Sequence, residues 1–173
     1  MFTVIKLVQY LVKTLHSEGT PGQVAAGIVL GAALGLTPIA SAHNLVIVLL
    51  ICVLNVSVAG AFLGLAFFAP FGFLLDPVFD RLGRLLLLET PALESTWTAL
   101  YNTPVVPYTN FNNTVVLGSL VGWLLLAVPI HLLARLGIAR YRATVGERVR
   151  QSRFYRAVTA SKAYNVYTWF RPQ

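Results

Sequence analysis

The residues able to do chemistry are few and scattered. His16, His43 and His131 have no carboxylate at ligand spacing, and no Gly-x-Ser-x-Gly, His-Glu-x-x-His or phosphate-loop pattern occurs. Cys52 is alone, so neither an intrachain disulfide nor a cysteine-based metal site is available. One compact charged cluster stands out: Asp76, Asp80, Arg81 and Arg84. Asp80 and Arg84 are four apart, the spacing of an ion pair on one helix face. The competing reading has Arg81 and Arg84 gripping the phosphate of a lipid headgroup.

A second group interrupts an apolar block. In GAALGLTPIASAHNLVIVLL, residues 31 to 50, the polar or helix-breaking positions are Thr37, Pro38, Ser41, His43 and Asn44. A proline after a glycine-rich run ends the helix and frees backbone carbonyls and amides. Thr37, Ser41, His43 and Asn44 could satisfy these locally, with Ser41 capping the helix that follows. The alternative is a polar cavity, as broken helices form in transporters. Asn55 closes the second apolar run.

Composition decides what must position these groups. The chain has 173 residues, of which 57% are hydrophobic and 11% charged, and its mean hydropathy is +0.72. That is too apolar for one soluble core and implies an integral membrane protein. Residues 2 to 15 carry Lys6, Gln9 and Lys13 among aliphatic side chains, which predicts an amphipathic interfacial helix within a first unit, 1–16. No cleavable signal peptide is expected, because apolar segments continue far downstream.

A membrane domain is expected over 17–136. Thr20 is placed to cap and Pro21 to open a helix over 21 to 36, and a second apolar segment covers 39 to 54. Sixteen residues reach about 24 Å, short of a hydrocarbon core of roughly 30 Å, so the pair spans a thinned bilayer or re-enters. Residues 56 to 75 could span, with a kink at Pro70 and Gly72 near the end. An external loop is expected over 76–113, carrying a short amphipathic helix around DPVFDRLGRLLLL, with Asn112 or Asn113 capping the next helix. A role for this loop in plugging or lining an entrance is the functional alternative. Residues 114 to 134 form the clearest spanning helix, followed by a basic tail, 137–173.

Charge placement gives sidedness. From Arg135 onward there are eight arginines and Lys162 against Glu147, while 76 to 113 holds two arginines against four acids. The tail should be cytoplasmic, and so should the N-terminus by parity, in the inner membrane. Arg140, Arg142, Arg148, Arg150, Arg153 and Arg156 beside a spanning helix are explained by contact with an anionic leaflet, at about 1 kcal/mol each. The net charge of +7 therefore describes orientation rather than a nucleic-acid partner.

Small residues predict how the helices meet. Gly27, Gly31 and Gly35 recur every four positions, as do Gly60 and Gly64, and Gly118 and Gly122. Each set makes a groove for a close backbone, either within one chain or in a homo-oligomer.

With these residues in place, GTPGQVAAGIVLGAALGLTPIASAHNLVIVLLICVLNVSVAG resembles the core motif of the small bacterial membrane family called domain of unknown function twenty sixty-two. The matching positions are Pro21, Ala25, Gly27, Gly31, Gly35, Pro38, Asn44 and Asn55. DPVFDRLGRLLL resembles the family's following helix, and LYNTPVVPYTNFNNTVVLGSLVG is similar to an uncharacterised subgroup of about 170 residues. Phe68-Ala69-Pro70 departs from the Asn-Pro frequent in the wider family, so no role for that Asn carries over. The resemblance implies cell-envelope work beside a larger envelope protein, and no activity.

The expectation is thus an all-α integral membrane protein. It has an N-terminal amphipathic helix, a short or re-entrant pair, two longer membrane helices and a basic cytoplasmic C-terminal helix. The expected function is a non-catalytic subunit or scaffold of an envelope assembly, with lipid-related transport as its setting, membrane lipids as partners and no cofactor. A small transporter or channel built around residues 37 to 44 is the second expectation, and an enzyme acting on membrane lipid the third.

Overall fold

The computed structural model describes residues 19–144. The predicted interfacial helix over 1–16 and most of the basic tail lie outside them. Within the described residues five α-helices follow one another: α1 (Pro21–Leu36), α2 (His43–Val53), α3 (Val58–Leu87), α4 (Glu94–Tyr101) and α5 (Thr114–Thr144), with 3-10 turns at Pro91–Leu93 and Val106–Thr109.

Helix α1 begins as its sequence dictates. Thr20 Oγ1 accepts from the Gln23 amide at 3.2 Å and Gln23 Oε1 accepts from the Thr20 amide at 2.7 Å, a complete capping box with Pro21 at the first helical position. It ends at Leu36, as the proline two residues on requires.

Helix α3 corrects the expected boundaries. It runs unbroken from Val58 to Leu87 through both Pro70 and Pro77, so the short helix expected around residues 76 to 88 is not separate but continues the preceding one. Each proline removes one amide from the ladder, but Pro70 and Pro77 both lie on the exposed side of the helix. Gly72, Phe79 and Gly83, on the buried side, pack on α1 and α5 and hold the helix together across the breaks. Likewise α5 does not stop at 134 but continues to Thr144, carrying Arg135, Arg140 and Arg142 in its last turns; residues 137 to 144 therefore belong to the helix and not to a separate tail. Asn113 Oδ1 caps it, accepting from the Val115 and Val116 amides at 3.0 and 3.2 Å. The second apolar segment is shorter than expected, helical only over His43–Val53.

Glycine contacts define the register. A Cβ at Gly27 or Gly31 would collide with the backbone carbonyl of Ser57 or Ala61, and one at Gly35 would lie 2.8 Å from the Ala69 amide nitrogen. Residue numbers at these contacts rise together along both helices, so α1 and α3 run parallel. Gly60 and Gly64 of α3 return the fit against the Val24 and Ile28 carbonyls. Gly83 abuts Thr114, and Gly118 abuts the Phe79 carbonyl, so α5 runs antiparallel to α3. Further down, α5 lies on α1: Trp123 Nε1 donates to Val29 O at 2.9 Å, Ile138 packs with Val24 and Ala25, and Arg142 Nη1 donates to Gly19 O at 2.8 Å.

Heights follow from these pairings. At 1.5 Å per residue α3 and α5 are each about 45 Å long, and α1 about 24 Å. Gly35, near the end of α1, meets Ala69 and Gly72, about midway along α3. The chain then turns at Thr37–Ala42 and returns through α2, so that the Ser57 amide donates to Gln23 O at 3.1 Å, level with the start of α1. The α1–α2 hairpin therefore covers only half the height of the α3–α5 pair, and its turn sits near mid-height.

Two helices, α3 and α5, are long and apolar enough to cross a membrane. Only 28% and 33% of their apolar windows are buried inside the protein. Large side chains such as Leu45, Leu49, Phe62, Phe73, Leu125 and Leu133 face outward, the opposite of a soluble core helix.

Candidate functional site

The interruption in the first apolar block becomes the turn of the hairpin. Pro38 ends α1, and three carbonyls near the break, those of Ala33, Pro38 and Ile39, are met by side chains. Thr37 Oγ1 lies 2.8 Å from Ala33 O and 2.9 Å from Asn44 Oδ1, so its single proton is shared between two acceptors. Asn44 Nδ2 donates to Pro38 O at 2.9 Å and to Ile39 O at 3.3 Å. Thr37 and Asn44 are both buried. One asparagine thus ties the first turn of α2 to the end of α1, the satisfaction that a buried break requires.

The other members of the group behave differently. Ser41 does not cap α2: Ala42 holds that position with no side-chain bond. The physical reason is the turn itself, in which the Ser41 carbonyl already accepts from the Asn44 amide and Ala42 has helical φ and ψ, so Ser41 lies too far back to reach the free amides. Ser41 is 5% exposed, yet its hydroxyl makes no hydrogen bond among the described residues. His43 is half-buried and its Nε2 has no partner among them. Asn55 is exposed in the link to α3 and joins nothing at the turn.

Beside the turn lies a cleft of about 620 Å³. Leu34 of α1, Ile39, Ala40, Ser41 and Ala42 of the turn, Asn44, Leu45 and Val48 of α2 and Leu65 of α3 line it, and Tyr108 from the α4–α5 connection completes the wall. Tyr108 is the residue that sequence reasoning missed. Its signal was present in TPVVPYTN, where two prolines stiffen the tip of the connection. The structure adds that Val105 has φ 75° and Asn110 φ 58°. A β-branched residue at positive φ costs about 1–3 kcal/mol and persists only where its surroundings enforce it. Val105 O accepts from the Tyr108 amide at 3.1 Å, so the strained turn is the one that presents Tyr108.

The charged cluster resolves into a clamp. Arg84 Nε donates to Asp80 Oδ2 at 2.8 Å, and the Thr114 hydroxyl donates a short hydrogen bond to Asp80 Oδ1. Asp80 thereby joins α3 to the first residue of α5. Arg81 is exposed and stands apart from this clamp. Arg140 is exposed on α5, Arg142 reaches Gly19, and Arg148, Arg150, Arg153 and Arg156 lie outside the described residues. The glycines line the α1–α3 contact (Gly27, Gly31, Gly35, Gly60, Gly64) and the α3–α5 contact (Gly118, Gly122), all within the chain. Gly72 and Gly83 extend both contacts; sequence spacing did not reveal them because they belong to no four-residue repeat.

The profile of a family described as an uncharacterized protein conserved in bacteria, DUF2062, matches residues 6–148. The chain belongs to this family. The DUF2062 match takes in all five described helices, the hairpin turn and the Asp80 clamp. An uncharacterized protein of Treponema pallidum (strain Nichols) is 30% identical over 155 residues, covering 88% of this chain and 93% of the relative. No solved structure matches.

Proposed function

We propose that this DUF2062 protein is a non-catalytic subunit or scaffold of a cell-envelope assembly in the bacterial inner membrane, with a role in lipid-related transport. One observation carries the reading. Asn44 and Asp80, two of the polar groups that interrupt the apolar segments, are turned onto the chain's own backbone and side chains, Asn44 on Pro38 and Ile39 and Asp80 on Thr114 and Arg84, while the outward surface is a broad band of large apolar side chains. Such a molecule is built to hold a shape in the bilayer and to present side surface.

In this reading α3 and α5 span, and the α1–α2 hairpin re-enters from the cytoplasmic side. Support comes from the parallel α1–α3 register and from the Gly19–Arg142 hydrogen bond, which puts both described ends at one end of the bundle. Arginine placement on the last turns of α5 supports a cytoplasmic position for that end. Purification of a tagged chain from native membranes should recover a larger envelope protein in fixed ratio; recovery of the chain alone would remove the subunit reading.

A second reading is favoured by the cleft at the turn: a small transporter whose substrate passes residues 37 to 44. Substrate flux in liposomes containing this chain alone would establish it.

A further inference from the structure

We infer that the cleft at the hairpin turn binds a single hydrocarbon chain carrying an uncharged oxygen, with Ser41 Oγ as the hydrogen-bonding contact. The inference deepens the lipid-related role proposed above and rests on the membrane placement of the bundle.

Three observations converge. The first is the unused hydroxyl: Ser41 is 5% exposed and lines the cleft, yet makes no hydrogen bond among the described residues. Its oxygen is open to the cleft rather than sealed in the core, so a hydrogen-bonding partner can reach it only from whatever occupies the cleft. The second is the lining. Leu34, Ile39, Leu45, Val48 and Leu65 are aliphatic, and no charged side chain among the described residues touches the cleft. That composition disfavours a phosphate or a carboxylate and suits methylene groups with one neutral polar atom. Its volume of about 620 Å³ falls within the range of roughly 300–1,000 Å³ typical of ligand sites. The third is access. Leu45 and Val48 line the cleft and are also exposed on the outer face of α2, so the cleft opens sideways, where bilayer chains lie. Tyr108, held by the strained turn at Val105, lines the other side.

The test uses the full chain in phosphatidylethanolamine and phosphatidylglycerol liposomes, with a monoacylglycerol carrying a photoactivatable diazirine in its chain. Adducts are mapped by mass spectrometry. Labelling should concentrate on residues 39 to 48 and Tyr108, and unlabelled monoacylglycerol should compete it away. Ala40→Trp, which fills the cleft, should abolish the concentrated labelling. Ser41→Ala removes only the hydroxyl and should lower occupancy about two- to tenfold, the worth of one net hydrogen bond. Labelling spread evenly along the outward residues Leu49, Val53 and Phe62, or unchanged in Ser41→Ala, would overturn the assignment. Because the liposomes contain no other protein, the outcome is independent of whether a larger partner copurifies.

Discussion

At the residue scale, Asn44 is the side chain on which the hairpin turn depends most. It is 7% exposed, accepts from Thr37 and donates to two carbonyls freed by Pro38. Asn44→Leu keeps the volume and leaves the Pro38 and Ile39 carbonyls and the Thr37 hydroxyl short of partners. The expected loss is about 1–3 kcal/mol, read as a lower midpoint of thermal unfolding in detergent. Thr114→Val is a milder change. It removes one of the two hydrogen bonds on Asp80 while keeping the side-chain shape, and should weaken the α3–α5 junction by about 1 kcal/mol in the same measurement. The sequence exposed these roles unevenly. Asn44 and the Asp80–Arg84 pair were legible from residue type and spacing, because a polar side chain beside a proline and charges four apart each have a local explanation. The bonds from Trp123 to Val29 and from Thr114 to Asp80 were not, since they join residues far apart in the chain and nothing local calls for them.

At the element scale, the glycine faces set the bundle's register. Gly31→Ala would drive a methyl into the Ala61 carbonyl of the neighbouring helix, where backbone cannot yield without moving the whole of α3. Gly118→Ala would do the same at Phe79. Both should abolish recovery of folded protein by size-exclusion chromatography. Gly137→Ala is the control: nothing lies within 4 Å of the added carbon, and replacing a mid-helix glycine should leave stability unchanged or raise it by up to about 1 kcal/mol. The four-residue spacing made these faces visible in the sequence, but not which helix each would meet. Helix starts with side-chain caps, at Thr20 and Asn113, are written in residue type. The ends of α3 and α5 are not. In the sequence, prolines and charges look like stops, whereas Pro70 and Pro77 sit on the exposed side of a helix held by neighbours, and Arg135 to Arg142 include no proline to break the helix.

At the scale of the whole molecule, the two described ends meet and the hairpin stops halfway. Single cysteines at Gly19 and Thr144, in the otherwise cysteine-free Cys52→Ser chain, should react with a membrane-impermeant maleimide from the same side of sealed membrane vesicles. A cysteine at Asn102, in the α4–α5 connection, should react from the opposite side. Reaction of Gly19 and Thr144 from different faces would contradict the shared end that the Arg142–Gly19 contact creates. The half-height of the hairpin was not legible, because segment length says how far a helix reaches and only its pairing with α3 says where it starts.

That pairing also dictates an order of events during synthesis. The glycine groove of α1 is shaped for the backbone of α3, which leaves the ribosome later, after the turn and α2 have already been made. Until residues Val58 to Gly72 arrive, the groove has no counterpart, and a helix of sixteen residues is too short to anchor itself across a bilayer. The packing of the first two helices is therefore completed only once the third has been made.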